Sequence, residues 1–345
     1  MQQTRRRKPL TQNDVARHLG VGQKTVSRVF GAPGYVGEKM REKVLAAARK
    51  LGYRPNNSAR AMRTGRFSNV LLLKSAYGVV SYLPGPLLDG IQDELARRDL
   101  TLTLARFPDE ELTREDFVPK TLREWVADGI LVNYDTNIPQ RMIELVQTHP
   151  IPAIWINSKQ AADCVYPNDF QAGRLATEHL LRLGHRRIAY LDYHIRHTAV
   201  RHYSREDRLE GYRSAMTAAG LRPSLITPEG HLPDGETAAY AAGFLRGPQR
   251  PTAAVTYSTD EAFALAYGAA VHAGLRVPRD LSVVTVSLGA VYCGVPMTCV
   301  DNPMHEVGRV AVDMLLEKIE HPRRKLPPRA VDFKLLEGGS CVPRV

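Results

Sequence analysis

Beyond Phe67 the chain alternates short apolar runs with stretches whose apolar residues recur every three or four positions. The runs Val70–Lys74, Leu102–Ala105, Ile130–Val132, Ala153–Ile156, Ile188–Leu191, Ala253–Tyr257 and Ser282–Val286 have the length of strands. Between them Leu87–Arg98, Leu122–Ala127, Ile138–Gln147, Ala172–Leu183, Arg208–Ala219, Ala238–Leu245, Glu261–Ala273 and Val307–Ile319 carry helical spacing. This alternation predicts an α/β fold of parallel sheets with helices on both faces. Ligands in such folds sit beyond the carboxyl ends of the strands, which singles out Ser75, Asn157, Asp192, Ser258 to Asp260 and Ser287.

The residues before Phe67 follow another pattern. Thr11 is a candidate N-cap with Asp14 three positions on, and Val15, Ala16 and Leu19 form an apolar stripe that Gly20 ends. A second short helix, about Gln23 to Phe30, sets Val26, Val29 and Phe30 on one face and Lys24 and Arg28 on the other. Ala16, Gly20 and Val26 have helix-turn-helix spacing: a small residue where two helices touch, a glycine able to take positive φ, and a branched anchor. A third helix, about Glu38 to Leu51, completes a three-helix core through Met40, Val44, Leu45, Ala48 and Leu51. Tyr53-Arg54-Pro55 breaks the chain, because a residue before proline is pushed out of the helical region. The stretch Asn56 to Gly65, with Arg60 and Arg63 on one side, is too short for a stable isolated helix and reads as a linker that becomes helical on DNA.

Charge sharpens this picture. Residues 1–65 hold 15 Lys/Arg against Asp14, Glu38 and Glu42, a net of +12, while the other 32 Lys/Arg and 33 Asp/Glu give −1. A small folded unit at +12 calls for a polyanionic partner, since each neutralised phosphate releases condensed counterion. The run Arg5 to Lys8 is either part of that surface or a solvated tail. No apolar run is long enough to cross a bilayer, and the basic start leads into polar helix, so a cytoplasmic, nucleoid-associated protein is expected.

Candidate chemistry is sparse. Cys164, Cys293, Cys299 and Cys341 have neither disulfide-framework nor zinc-site spacing. His194, His197 and His202 alternate with Arg196, Arg201 and Arg205, which disfavours a metal and suits an anion-facing patch. No phosphate loop, nucleophile elbow or dinucleotide fingerprint follows an expected strand, so neither an enzyme nor a cofactor is expected.

The runs DVARHLGVGQKTVSRVF and REKVLAAARKLGYRPNNSARAMRTGR closely resemble the headpiece and hinge of the LacI/GalR family of transcriptional regulators. FQAGRLATEHLLRLGHRRIAYLD, RLEGYRSAM, STDEAFALAYGA and PRDLSVVTVS resemble the same family's effector domain, which looks like a two-lobed periplasmic sugar-binding protein. The resemblance implies a helix-turn-helix headpiece over 1–55, a hinge over 56–66, and an effector and dimerisation domain over 67–345 with crossovers near 157–168, 287–300 and 320–330. It gives Gln23, Lys24 and Arg28 base-reading positions, Asn56 and Ala59 the minor groove, and Met62 the place of a leucine wedge. Thr11, Thr25, Tyr53 and Arg63 complete the DNA-contacting set. Arg208 falls on the arginine that binds ligand hydroxyls, Asn157 on a position often held by aspartate, and Ser75 on the first-strand contact.

This chain departs from the pattern at several points. Gly22 and Gly37 stand where serine caps are usual, at a cost of a few tenths of a kcal/mol. Ser287 replaces an aspartate that fixes sugar hydroxyls, and Thr259-Asp260 stands where asparagine usually precedes aspartate. A hydroxyl cannot grip two ligand hydroxyls as a carboxylate does, so the effector class stays open: sugar, sugar acid or phosphosugar. The expected protein is an effector-modulated repressor on near-palindromic double-stranded operator DNA. The resemblance implies a dimer formed through the effector domains, and the tail after Ile319 has no leucine heptads to make a tetramer, so a homodimer is expected. A cytoplasmic solute-binding protein and an enzyme fused to a DNA-binding module are the alternatives.

Overall fold

The computed structural model describes residues 10–30, 36–55, 61, 65–76, 81–107, 124, 126–136, 138–148, 151–193, 202–287, 289, 291–292 and 294–344. The chain divides into two compact units, Met1–Phe67 and Ser68–Val345. In the first, α1 (Gln12–Leu19), α2 (Gln23–Val29) and α3 (Glu38–Leu51) pack around Val15, Ala16, Val26, Val29, Val44, Ala47 and Ala48. Gly20 ends α1 at φ 65°, a left-handed conformation that glycine adopts without a Cβ clash, and lets the Val21 amide return to the Ala16 carbonyl at 3.0 Å. The expected ends of α3, Glu38 and Leu51, are those observed.

The second unit holds two parallel-based sheets. Strands β1 (Asn69–Ser75), β2 (Thr101–Phe107), β3 (Gly129–Asn133), β4 (Ala153–Ile156) and β5 (Cys164–Pro167) are joined through α4 (Gly85–Ala96) and α5 (Gln140–Thr148). The chain then crosses at Asn168 into α6 (Asp169–Arg182) and β6 (Ile188–Leu191). There follow α7 (Tyr203–Ala218), β7 (Ser224–Ile226), α8 (Thr237–Gly243), β8 (Ala253–Thr256), α9 (Thr259–His272), β9 (Ser282–Ser287), the small hairpin β10 (Val291–Tyr292) and β11 (Val295–Pro296), and β12 (Cys299–Asp301). It returns through α10 (Met304–Glu320) and β13 (Arg329–Val331), and finishes at β14 (Lys334–Leu336). The sheet orders are β13-β5-β4-β3-β1-β2 and β14-β12-β9-β8-β6-β7. The second and third passages between sheets therefore fall at 302–303 and 332–333. These lie just beyond the stretches 287–300 and 320–330 expected from sequence, because β12 and β13 are short strands that extend each sheet first. The expected helix Leu122–Ala127 lies mostly outside the described residues.

Alternate strand residues serve opposite faces, as period-two geometry requires. Val70 and Leu72 pack with Leu87 and Ile91 of α4 and with Val307, Ala311 and Leu315 of α10. Leu71 and Leu73 pack with Met142 and Leu145 of α5. In the other lobe Tyr190, Val255 and Val284 meet Ala172, Ala176, Leu209 and Tyr212 of α6 and α7, while Leu191, Ala254 and Val283 meet Ala262, Leu265 and Ala269 of α9. The helix pairs touch through glycines: a Cβ on Gly173 would lie 1.9 Å from the Arg208 carbonyl oxygen, and one on Gly90 would lie 2.0 Å from that of His305.

Candidate DNA-reading face and ligand cleft

In the first unit, Gln23, Lys24 and Arg28 stand exposed on α2, opposite the buried Val26 and Val29. Thr25 is half-buried. The Gln23 amide nitrogen donates to the Gln12 side-chain oxygen at 2.9 Å, tying the start of α2 to α1. Thr11 donates both its amide (2.9 Å) and its hydroxyl (2.7 Å) to one Asp14 carboxylate oxygen, and these bonds hold Asp14 below the usual carboxylate range. Gly22 caps α2, and Gly37 caps α3, through extended backbone alone. Arg41 donates to the Val29 carbonyl at 3.3 Å, satisfying the carboxyl end of α2. Tyr53 packs on Phe30 with ring centroids 5.4 Å apart. One helix face thus presents an amide, an ammonium and a guanidinium, the groups that pair with base edges in a major groove. Asn56, Ala59, Met62 and Arg63 lie outside the described residues, as do Arg5 to Lys8 and Arg60.

In the second unit a cleft of about 480 Å³ lies at the carboxyl ends of strands from both sheets. Asn157, Arg208, Thr259, Asp260 and Ser287 line it, joined by Tyr82, Asp135, Thr136, Asp169, His202, Ser204, Tyr257, Asn302 and Met304. Ser75 does not. It is fully buried at the end of β1, where its amide donates to the Ser81 hydroxyl at 2.8 Å and that hydroxyl donates to the Asn133 carbonyl, so it fastens β1 to β3 beneath the cleft. Asp192 is buried too and is gripped by Arg205.

Arg208 is 7% exposed. Its Nε donates to Asp169 at 2.6 Å and its Nη1 to the Tyr257 carbonyl at 2.8 Å, while the guanidinium carbon lies 4.6 Å from the Tyr257 ring centre. Burial works against its charge, but Asp169 outweighs this and raises its pKa above the ordinary value. A second guanidinium, Arg205, lies 4.1 Å from the same ring centre.

Asn157 adopts φ 54°, a left-handed conformation that asparagine tolerates. Its Oδ1 accepts from the Tyr203 hydroxyl at 3.1 Å, its Nδ2 reaches Asp135 at 3.4 Å, and its carbonyl meets His202 Nε2 at 3.1 Å. The tautomer of His202 follows from its neighbours. The Ser204 amide can only donate, so Nδ1 accepts and Nε2 carries the hydrogen. Burial drives the His202 pKa down to about 4, keeping the ring neutral. The Ser204 hydroxyl completes a relay, 2.7 Å from Nδ1 and 2.9 Å from the Tyr257 hydroxyl.

Asp135, which sequence patterning does not single out, stands where the strand-end rule applied to Ile130–Val132 points. Its Oδ2 accepts from the Tyr82 amide at 3.3 Å, while its buried Oδ1 has no hydrogen-bond partner among the described residues. Burial pushes its pKa up to about 6. Asp169 gave no such signal, because it opens α6 after a strand too short to be seen in the sequence.

Comparison with known proteins matches both units. Residues 11–56 match bacterial regulatory proteins of the lacI family, and residues 177–341 match a periplasmic binding protein-like domain. The chain is 31% identical to the ribose operon repressor of Escherichia coli K12, over 96% of this chain and 99% of that one. It is also 31% identical to the HTH-type transcriptional repressor PurR of Vibrio cholerae, over 91% and 94%. Among solved structures, a lac repressor dimer bound to operator and the anti-inducer ONPF aligns with a TM-score of 0.74 at 23% identity, covering 97% of this chain and all of that one. The transcriptional regulator CelR in complex with cellobiose aligns with a TM-score of 0.62 at 24% identity, covering 96% and 99%. Because relatives share nearly a third of their residues with this chain along almost its entire length, headpiece and cleft included, it belongs to the lacI family of bacterial regulatory proteins.

Proposed function

We propose that the chain is a homodimeric repressor that reads a near-palindromic operator through Gln23, Lys24 and Arg28 and releases or grips it according to a small molecule in the cleft. The observation that carries the reading is the full-length kinship with proteins named as repressors, combined with an exposed polar and basic face on α2. Thr11, Thr25 and Tyr53 support that face, and residues 56–66, with Asn56, Ala59, Met62 and Arg63, form the hinge on the minor groove. Asn157, Arg208, Thr259, Asp260 and Ser287 form the effector site. The protein acts by binding rather than turnover, and it acts where its DNA is, on the nucleoid in the cytoplasm. No described helix is long and apolar enough to cross a membrane.

Selection of bound duplexes from a random double-stranded library by the full chain tests this reading. The expected product is a two-fold symmetric consensus with half-sites about one helical turn apart. Recovery of unbiased sequence would overturn it.

A further inference from the structure

The cleft wall is chemically lopsided. Three carboxylates line it, Asp135, Asp169 and Asp260, against the single guanidinium of Arg208 among the described residues. That guanidinium is already bound to Asp169 and to the Tyr257 carbonyl. Three buried oxygens of lining residues lack partners among the described residues: Oδ1 of Asp135, Oδ2 of Asp169 and Oδ1 of Asn302. All three are acceptors. Asp169 is 1% exposed, and its charge is met by Arg208 through Oδ1. Asp135 makes no ion pair among the described residues, and a buried carboxylate without a cation is costly unless it is protonated or a ligand brings the charge.

Resting on the reading of this cleft as the effector site, we propose that the effector is a polyol bearing a protonated amine, its ammonium set against Asp135 and its hydroxyls donating to Asp169 and Asn302. Such a ligand supplies donors to the three orphan acceptors, and a positive charge where the described carboxylates of the wall outnumber its guanidinium. Sugar acids and phosphosugars fit poorly, because their anion would face three carboxylates and a guanidinium whose charge Asp169 already offsets. Arg205, which as a free cation would favour them, lies against the Tyr257 ring with its charge met by the buried Asp192. Burial raises the Asp135 pKa to about 6, and an ammonium against the carboxylate would pull it back down.

The full-length protein is tested at pH 7 by calorimetry with D-glucosamine, D-galactosamine and D-mannosamine, each beside its neutral hexose and its hexonate. At least one amino sugar is expected to bind about tenfold more tightly than its neutral partner. The hexonate should bind most weakly, and Asp135→Asn should erase the preference while leaving a cooperative thermal transition. The proposal is overturned if no amino sugar binds, if a hexose or hexonate binds as tightly as the amine, or if the preference survives Asp135→Asn. Operator retention measured with each binder separates this outcome from the sensor reading. A neutral or acidic congener that binds and alters retention sinks the charge assignment alone, whereas a cleft binder that leaves retention unchanged sinks the sensor.

Discussion

The imidazole of His202 donates its Nε2 hydrogen to the Asn157 carbonyl across 3.1 Å, so the residue that precedes α7 in one lobe holds the residue that follows β4 in the other. The bond needs a neutral ring whose Nδ1 is free to accept from the Ser204 amide. Arg208, Arg205 and Lys159 join burial in resisting a proton there. The folded pKa of about 4 lies below the unfolded value of about 6.5, so the unfolded chain takes up a proton that the native state refuses. The contribution of His202 is complete above about pH 6.5 and is lost as pH falls toward 4. Urea unfolding at a series of pH values should show the parent's advantage over His202→Gln shrinking through that window. Parallel profiles would mean that this ring titrates normally.

Asp135 has the opposite sign. Its folded pKa of about 6 lies above the unfolded value of about 3.9, so its carboxylate penalises the empty native state at neutral pH and the penalty fades on acidification. Without ligand, Asp135→Asn should be more stable than the parent by roughly 2–3 kcal/mol at pH 7.5, and the two should converge only below about pH 3.9. A variant less stable at pH 7.5 would show that the carboxylate has a structural partner.

Arg28 is exposed on the same face of α2 as Lys24, well placed to present two donors to a guanine edge. Arg28→Ala is expected to cost about 1–3 kcal/mol on the selected operator and to relax one base position per half-site. Gel-shift titration on operator and random duplexes at one salt concentration checks this. Equal losses on both would assign Arg28 to phosphate.

The ion pair of Arg208 and Asp169 is almost entirely buried. Removing one partner strands the other, so Arg208→Ala should destabilise the second unit by about 3–5 kcal/mol, whereas Arg208→Met with Asp169→Leu should recover most of that loss. Denaturant midpoints of single and double variants decide the matter. A double variant no better than the single would show that packing, not charge, sets the cost.

Gly173 meets the Arg208 carbonyl so closely that even a methyl group must push α6 from α7. Gly173→Ala is expected to cost about 1–3 kcal/mol, while Gly243→Ala, which meets nothing within 4 Å, should be neutral or slightly stabilising. Thermal melts of the two variants make the comparison. Equal stability would mean that the helix pair has slack.

Sequence periodicity made the long central strands and nearly all the helices legible, because Val70–Lys74 and Ile188–Leu191 are buried on both faces and spell this out in every residue. It missed β5, β7 and β10 to β14, which are two to four residues long and owe their pairing to neighbours rather than to a pattern of their own. The headpiece was legible throughout because Ala16, Gly20 and Val26 act within one short stretch. In the cleft, Arg208 and Asn157 fell where expected, but the clasp of Arg208 by Asp169 spans 39 positions and leaves no local trace. Ser75 obeyed the strand-end rule and was nevertheless drawn under the floor by Ser81.

All three chain passages leave from one margin of each sheet: β5 and β13 form an edge pair of the first, and β12 and β14 an edge pair of the second. The molecule therefore has a pivot side and a free side. With neighbouring strands about 4.8 Å apart, the opposite margins at β2 and β7 lie roughly 24 Å from the pivot. A turn of about 5° there sweeps the far edge by about 2 Å, enough to make or break a hydrogen bond. Leverage of this kind turns a small closure at the cleft into a larger displacement at the free margins of the second unit.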